Sequence, residues 1–360
     1  MIRFNEFVMN TFGKNLRLTT FGESHGPAMG GVIDGFPAGF RINFDYIHSE
    51  IEKRKPGTSG LVSGRKEEDL PEFLSGISQE GITLGTPIGF IIRNSDCKSK
   101  DYEDLAEKFR PNHADFTYYS RFGIREHRGG GRASARETVN WVIAGALASQ
   151  WLESKNIYIY SLLSAVGKIN FKDHLVRPLI SNPNREEDFK LSEDIHKKYE
   201  EEILKYKNSG NSIGGIVTCL VKGLEPGIGE PVFRKLHAAL AQSMMGINGA
   251  KAFEYGSGFN SPEISGVDSA DLFIRNSDGH IATSTNYSGG IQGGISNGMP
   301  IFFSVYFKPT PTVMRDFTSV DLTGEDVIIK NKGRHDPCIA VRAVPVVKAM
   351  TALTIADFLI

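Results

Sequence analysis

Between Ala135 and Ser154 the chain sets Val139, Val142, Ile143, Ala146, Leu147 and Trp151 on one stripe. That i, i+3, i+4, i+7 recurrence belongs to a helix laid against a core. The neighbouring segments show what builds the core. Stretches rich in β-branched and aromatic residues at Leu16–Phe21, Gly30–Phe36, Ile82–Arg93, Ile157–Val166, Ile213–Val221 and Ile301–Phe307 read as strands. Further helices are expected at Asn43–Lys55, where Asn43 is the N-cap and Pro56-Gly57 the stop, at Ser192–Asn208, at Pro231–Met245, and at Val344–Leu359 with an interruption near Pro345. The alternation is too irregular for a doubly wound parallel sheet, so the pattern predicts an α+β fold.

Gly30-Gly31, a strand, Gly35-Phe36-Pro37-Ala38-Gly39 and a helix are echoed by Gly214-Gly215, a strand, Gly223-Leu224-Glu225-Pro226-Gly227 and a helix. Two similar βα halves sharing a core would produce this echo, and so would chance in a glycine-rich chain. No Pro/Ser-rich linker divides the 360 residues, which reads as one domain, with Asp173–Lys207 as a polar surface excursion.

Charge narrows the function. Lys and Arg number 41 against 42 Asp and Glu, a net charge of −1, so any anion site must be local and non-specific nucleic-acid binding is disfavoured. Cys97, Cys219 and Cys338 are widely spaced and odd in number, which argues against a disulfide framework or thiolate metal site and for a reducing compartment. Met1–Asn15 lacks a signal pattern, and no apolar stretch reads as approaching the ~18 residues of a spanning helix. A soluble cytoplasmic protein, without membrane or structural metal, is expected.

Glycine is in excess, at 39 residues, and gathers beside Arg, His and Ser. Gly22-Glu23-Ser24-His25-Gly26 satisfies the nucleophile-elbow pattern of serine hydrolases, yet an elbow needs a helix directly after the serine, and here Pro27, Gly30, Gly31 and a strand follow. A hydrogen-bonded glycine-bounded turn is the alternative. Arg110-Pro111-Asn112-His113-Ala114-Asp115 reads as a loop. Arg128-Gly129-Gly130-Gly131-Arg132-Ala133-Ser134-Ala135-Arg136-Glu137-Thr138 runs into the long helix, where glycines, a helix start and two arginines suit a phosphate. Cations oppose the dipole at a helix start, so a nearby anion is expected. Gly289-Gly290-Ile291-Gln292-Gly293-Gly294-Ile295-Ser296 leads into a strand and makes no dinucleotide fingerprint. Lys308-Pro309-Thr310-Pro311-Thr312 offers a cation and two hydroxyls, and Gly333-Arg334-His335-Asp336-Pro337-Cys338 puts acid, base and anion-binding capacity side by side.

These clusters, in this order and with Arg54-Lys55-Pro56-Gly57-Thr58-Ser59, resemble the chorismate synthase family over nearly the whole chain. The resemblance implies a β-α-β sandwich of two antiparallel sheets enclosing helices, usually as a homotetramer. It implies a lyase that eliminates phosphate in a trans-1,4 sense from 5-enolpyruvylshikimate 3-phosphate to give chorismate, the last step of the shikimate pathway. Reduced FMN is required without net redox change, its electrons coming here from an external flavin-reducing system. By resemblance the catalytic set is His25, His113, Asp336, Ser24 and Ser134: His25 protonates the leaving phosphate, His113 stabilises the reduced flavin as its monoanion, and Asp336 works with the flavin N5. Substrate contacts fall to Arg54, Arg110, Arg136 and Arg334 with Ser24 and His25, and flavin contacts to Arg132, Ala133, Ser134, Asn248, Gly249, Gly293, Lys308, Pro309, Thr310, Pro311, Thr312 and Arg334. Arg54 is also the NADP contact. The chain departs from the family at Gly60, where an Arg is usual and for which Arg65 or Lys66 could substitute, and at Ala133, Gly249 and Ala252. A serine hydrolase built on Ser24 would instead be inactivated by a phosphonate, and a phosphate-binding module would leave the substrate unchanged.

Overall fold

The computed structural model describes residues 9–55, 69–94, 104–182, 189–276, 279–330 and 336–360. Gly60, Arg65, Lys66, Cys97, Arg334 and His335 lie outside the described residues. The chain opens with β1 (Thr11–Phe12), β2 (Arg17–Gly22) and β3 (Ala28–Asp34), followed by α1 (Phe44–Arg54), β4 (Glu72–Phe73) and β5 (Ile88–Arg93). The five strands form an antiparallel sheet in the order β1-β2-β3-β5-β4. Along β2 the two-residue period is plain: Leu18 and Thr20 point into the core, Arg17, Thr19 and Phe21 outward. The expected strand Ile82–Arg93 is shorter than its apolar run, because Ile82 and Thr83 make only isolated bridges to Arg41 and Ile77. At α1, Asn43 Oδ1 accepts from the Tyr46 N–H, the capping bond expected.

Next come α2 (Asp115–Phe122) and α3 (Thr138–Glu153), then β6 (Tyr158–Val166), β7 (Ile169–Asn170), α4 (Lys172–Ser181), α5 (Glu193–Asn208), β8 (Gly215–Lys222), α6 (Leu236–Met245) and β9 (Ala250–Tyr255). Three small hairpins pair β10 (Phe273–Arg275) with β11 (Ile281–Thr283), β12 (Ile291–Gln292) with β13 (Ile295–Ser296), and β15 (Phe317–Val320) with β16 (Asp326–Ile329). Between the last two hairpins runs β14 (Ile301–Phe307), and α7 (Ile339–Leu359) ends the chain. The second large sheet has the order β7-β6-β8-β14-β9, again antiparallel. Asp173–Lys207 lies between β6 and β8, where the mostly exposed α5 turns Ile195, Tyr199 and Ile203 inward and the Tyr199 hydroxyl donates to the Ser164 carbonyl of β6.

The two sheets repeat one another. Units β2-β3-α1-β4-β5-α3 and β6-β8-α6-β9-β14-α7 follow the same course, and their strands take the same places, β2-β3-β5-β4 and β6-β8-β14-β9. The echo even extends to a contact. A Cβ on Gly35 would lie 2.1 Å from the Asn15 carbonyl oxygen, and one on Gly223 would lie 2.0 Å from that of Asn156. Two βα halves, not chance, account for the recurrence.

Helices α3 and α7 fill the middle layer. The single stripe read on α3 falls short, since from Thr138 to Leu152 every residue but Trp141 is buried, polar Asn140, Ser149 and Gln150 included. A helix covered on all sides cannot show one apolar face. Two further readings are corrected. Helix α6 begins at Leu236, not Pro231, and α7 begins at Ile339 and runs through Pro345 unbroken. By length and composition α7 could cross a membrane, contrary to the expectation that no such stretch exists. It is a core helix here, 72% of that window being buried in the protein. One continuous apolar cluster runs from Leu16 through α3 to Ala356.

The α3–α7 crossing requires the absence of a side chain at Gly145, where a Cβ would sit 2.4 Å from both Cα and Cβ of Ala349. Gly145→Val should lower unfolding stability by ~1–3 kcal/mol through overpacking. Gly266→Ala, where a Cβ meets nothing within 4 Å, should stay within about 0.5 kcal/mol. Urea unfolding of both variants checks this, and equal midpoints would contradict it.

Candidate active site

The turn between β2 and β3 carries Ser24 and His25, with Ser24 Oγ 3.2 Å from His25 Nδ1. Strand β3 follows directly, so the helix that a hydrolase elbow needs is absent. Asn94, just past β5, braces the turn: its Nδ2 donates to the carbonyls of Glu23 at 3.1 Å and Gly26 at 2.9 Å. On the other side lies the glycine run before α3. A Cβ on Gly129 would fall 2.0 Å from His25 Nδ1 and 2.9 Å from Ser24 Oγ, so only a glycine lets that loop press against the imidazole.

The run from Gly131 to Glu137 forms two short 3-10 turns, with Ser134 Oγ accepting from the Arg136 N–H at 3.3 Å. Beneath it is a buried ion cluster. Asp69 accepts from Arg136 Nη1 at 2.5 Å and Arg54 Nη1 at 3.2 Å, and the three side chains are 0 to 6% exposed. Arg54 also donates to Thr138 Oγ1 and to the carbonyls of Ala135 and Arg136. Arg136 gives its Nε and Nη2 to Asn94 Oδ1 at 3.3 and 3.2 Å. Arg132 pairs with Glu137 at 2.6 Å and donates to Thr20 Oγ1 at 2.7 Å. The anion expected beside the cations at this helix start is supplied from within the protein, by Glu137 for Arg132 and by Asp69 for Arg136. Glu23, near the same loop, is held above the usual carboxylate range by burial, with Glu126 adding to and Arg132 opposing the shift.

The second half of the site comes from 110–115 and from the segment after β14. Asp115 is not in the loop but opens α2. It accepts from Arg110 Nε at 2.7 Å and Nη2 at 2.9 Å, and it pairs with Arg125 at 3.0 Å. Burial alone would raise the Asp115 pKa, but Arg110 and Arg125 hold it below the usual range. His113 Nδ1 lies 3.0 Å from the Pro111 carbonyl and Nε2 3.1 Å from Thr312 Oγ1. A carbonyl can only accept, so Nδ1 carries the proton and Nε2 accepts from the hydroxyl. Burial, aided by the charge of Arg110, pushes the His113 pKa down to about 4, so the ring is neutral in the free protein. Lys308 Nζ donates to the Asn112 carbonyl, and Asn248 Nδ2 to that of Ala133. Arg110 Nη2 reaches within 3.9 Å of where a Gly130 Cβ would stand, which puts Arg110 and His25 on the same glycine loop.

Asp336 pairs with Arg342 of α7 at 2.6 Å, and Arg342 Nε donates to the Arg54 carbonyl, which ties this carboxylate to the ion cluster. Gly249 accepts the Lys308 N–H. Gly293 lies in the exposed β12–β13 turn with nothing within 4 Å of its Cβ position. Sequence reasoning missed Asp69, Asn94, Asp115 as an ion-pair centre, Arg125 and Glu137. Asp69 and Asn94 belong to no motif, and only proximity to the arginines marks them.

Arg54 and Arg136 share one aspartate, and so do Arg110 and Arg125. Arg110 and Arg125 outnumber their one aspartate, and Lys308 adds another cation. This local surplus, in a chain of net charge −1, suits a polyanion.

Comparison with known proteins gives the family. The family model of chorismate synthase matches residues 16–360. The chain belongs to the chorismate synthase family. Chorismate synthase of Phocaeicola vulgatus is 48% identical over 355 residues, 98% of each chain, and that of Bacteroides fragilis is 49% identical over the same coverage. A crystal structure of chorismate synthase superimposes with a TM-score of 0.75 at 27% identity, covering 97% of this chain and 92% of the other. The α+β architecture is thus that of chorismate synthases. The reaction is the trans-1,4-elimination of phosphate from 5-enolpyruvylshikimate 3-phosphate to chorismate, a carbon–oxygen lyase step that ends the shikimate pathway. The family implies a small-molecule substrate and a flavin.

His113 yields a test of the site without ligand. Its pKa of about 4 lies below the ordinary 6.5. As pH falls, the unfolded chain therefore takes up the proton first, and the native state loses stability between about 6.5 and 4. NMR should find the ring titrating near 4, and His113→Gln should remove that part of the pH dependence of urea midpoints. Titration at 6.5 would contradict the buried, neutral ring.

Proposed function

We propose that elimination is carried out at the glycine loop 129–131 by His25, Arg110, Arg136, His113 and Asp336, with reduced FMN as the flavin. The observation that carries this reading is the convergence of His25 and Arg110 on one loop, beside the Arg110–Arg125 pair that shares a single aspartate. The substrate bears a phosphate and two carboxylates, and charge-assisted bonds to arginine bind it and stabilise the leaving phosphate together. Arg110 keeps Nη1 outside its fork to Asp115. Its neighbour His25 donates the proton to the departing phosphate oxygen, with Ser24 holding the ring and Ser134 capping the turn. Arg54, buried under the loop, acts through Asp69 and the 135–136 carbonyls, a supporting place for a residue also expected to meet substrate and NADP.

A flavin fits the residues expected for it. Asn248 Oδ1 and Thr310 Oγ1 are buried without a protein partner, a deficit that a polar ring edge would satisfy. Asn248, Gly249, Lys308–Thr312 and the Ala133–Ser134 backbone would hold it. Arg132, paired with Glu137 and Thr20, and Gly293, whose Cβ position is open, complete the expected set. When bound, reduced FMN supplies the electron-rich ring chemistry that the C6–H cleavage needs. His113 takes up a proton when an anion is set beside it, because the added charge offsets the burial that keeps it neutral. Asp336 contributes a carboxylate held in one orientation by Arg342.

The working form is a homotetramer in the cytoplasm, its flavin reduced by a separate system. Exposed Phe233, Val267, Phe273 and Ile281 support an assembly that covers them.

The purified protein should convert 5-enolpyruvylshikimate 3-phosphate to chorismate and phosphate with dithionite-reduced FMN under anaerobic conditions, and not with oxidised FMN in air. His25→Ala should lower turnover by about 10²–10⁴-fold, while exposed His48, His174 and His196 serve as neutral controls. Turnover without reduced flavin would overturn the reading.

Arg110→Ala should weaken substrate binding by about 10- to 150-fold, the worth of one charge-assisted pair, with oxidised FMN alone bound nearly as before. FMN fluorescence quenching with and without substrate separates the two, and equal losses of both ligands would merge the sites.

A further inference from the structure

We propose that Asn94 is a positioning residue for the elimination, one that sets the proton donor and a phosphate-facing cation at a fixed separation. The inference rests on the reading of His25 as that donor and of Arg136 as part of the anion site. All four hydrogen-bonding positions of its carboxamide are in use. The two Nδ2 protons go to the Glu23 and Gly26 carbonyls, which bracket Ser24 and His25. The two lone pairs of Oδ1 take Arg136 Nε and Nη2. The Asn94 backbone N–H adds a bond to the Pro27 carbonyl at 3.2 Å, so both ends of the turn are fastened to the end of β5.

An amide suits this place for a chemical reason. A carboxylate would serve the guanidinium but set its second oxygen against two carbonyl oxygens, and an aliphatic side chain would serve neither side. Within the bracketed turn the Gly26 N–H donates to the Glu23 carbonyl, the same oxygen that Asn94 takes. The core holds Arg136 through Asp69, so the amide transfers that fixed position to His25. A proton and a positive charge must reach the same phosphate oxygens as the C–O bond breaks, and misplacement by about an ångström costs on the order of 10²-fold in rate.

The experiment compares Asn94→Asp and Asn94→Ala with the wild-type holoenzyme, using reduced FMN and 5-enolpyruvylshikimate 3-phosphate in anaerobic steady-state assays. Expected is a fall in kcat of about 10- to 100-fold in both, with substrate KM and oxidised-FMN affinity changed less than about threefold, and partial recovery in Asn94→Gln, which keeps the amide. A KM rise with kcat unchanged, wild-type kcat in either variant, or an Asn94→Asp protein that does not fold would overturn the proposal, the last by showing the amide to be part of the fold's stability. Failure of the underlying reading is seen separately, as a His25→Ala enzyme that retains full turnover.

Discussion

Asp69 sits in the protein interior between two guanidiniums, and the placement of the active site depends on that contact. A lone carboxylate so buried would be prohibitively costly, and either arginine alone would be too. Together, with the carbonyls of Ala135 and Arg136 taking the remaining donors of Arg54, they satisfy one another. The cluster joins the last turn of α1 to the start of α3. Through Arg136 and Asn94 it then reaches the Ser24–His25 turn. Side chains that meet solvent are thus positioned by groups that do not.

A nearly neutral chain makes an anion site by local arrangement. Asp115 serves both Arg110 and Arg125, and Lys308 adds a cation where the loops converge. His113 adds a reserve. Kept neutral by burial and by Arg110, it does not raise the charge of the free site, yet an arriving anion would draw a proton to it.

The repeated halves have been put to unequal use. The connection from β2 to β3 is a five-residue turn bearing Ser24 and His25, whereas its counterpart from β6 to β8 carries α4 and α5 over the outer face of the second sheet. The equivalent connections from β5 to α3 and from β14 to α7 both feed the site. The first carries Arg110, His113 and the glycine loop, the second Lys308–Thr312 and Asp336. They meet where His113 touches Thr312 and Lys308 touches the Asn112 carbonyl. Pseudo-symmetry brings the two loops to one place, and their different sequences make a single site there.

The sequence by itself determined the strand and helix segments, the α+β class and the motifs that name the family, because period and capping are local properties of neighbouring residues. Asn43 as a cap and Ile301–Phe307 as a strand were legible for that reason. Only the tertiary structure decided that α3 and α7 are buried over most of their surface, that Arg132 and Arg136 already have carboxylates, and that Asp69 and Asn94 lie beside the candidate site residues. Partners of a buried charge are chosen by distance in space, and Asp69 is 67 residues from Arg136 along the chain. No pattern of local residues encodes that meeting; it follows from two sheets closing on a shared layer of helices.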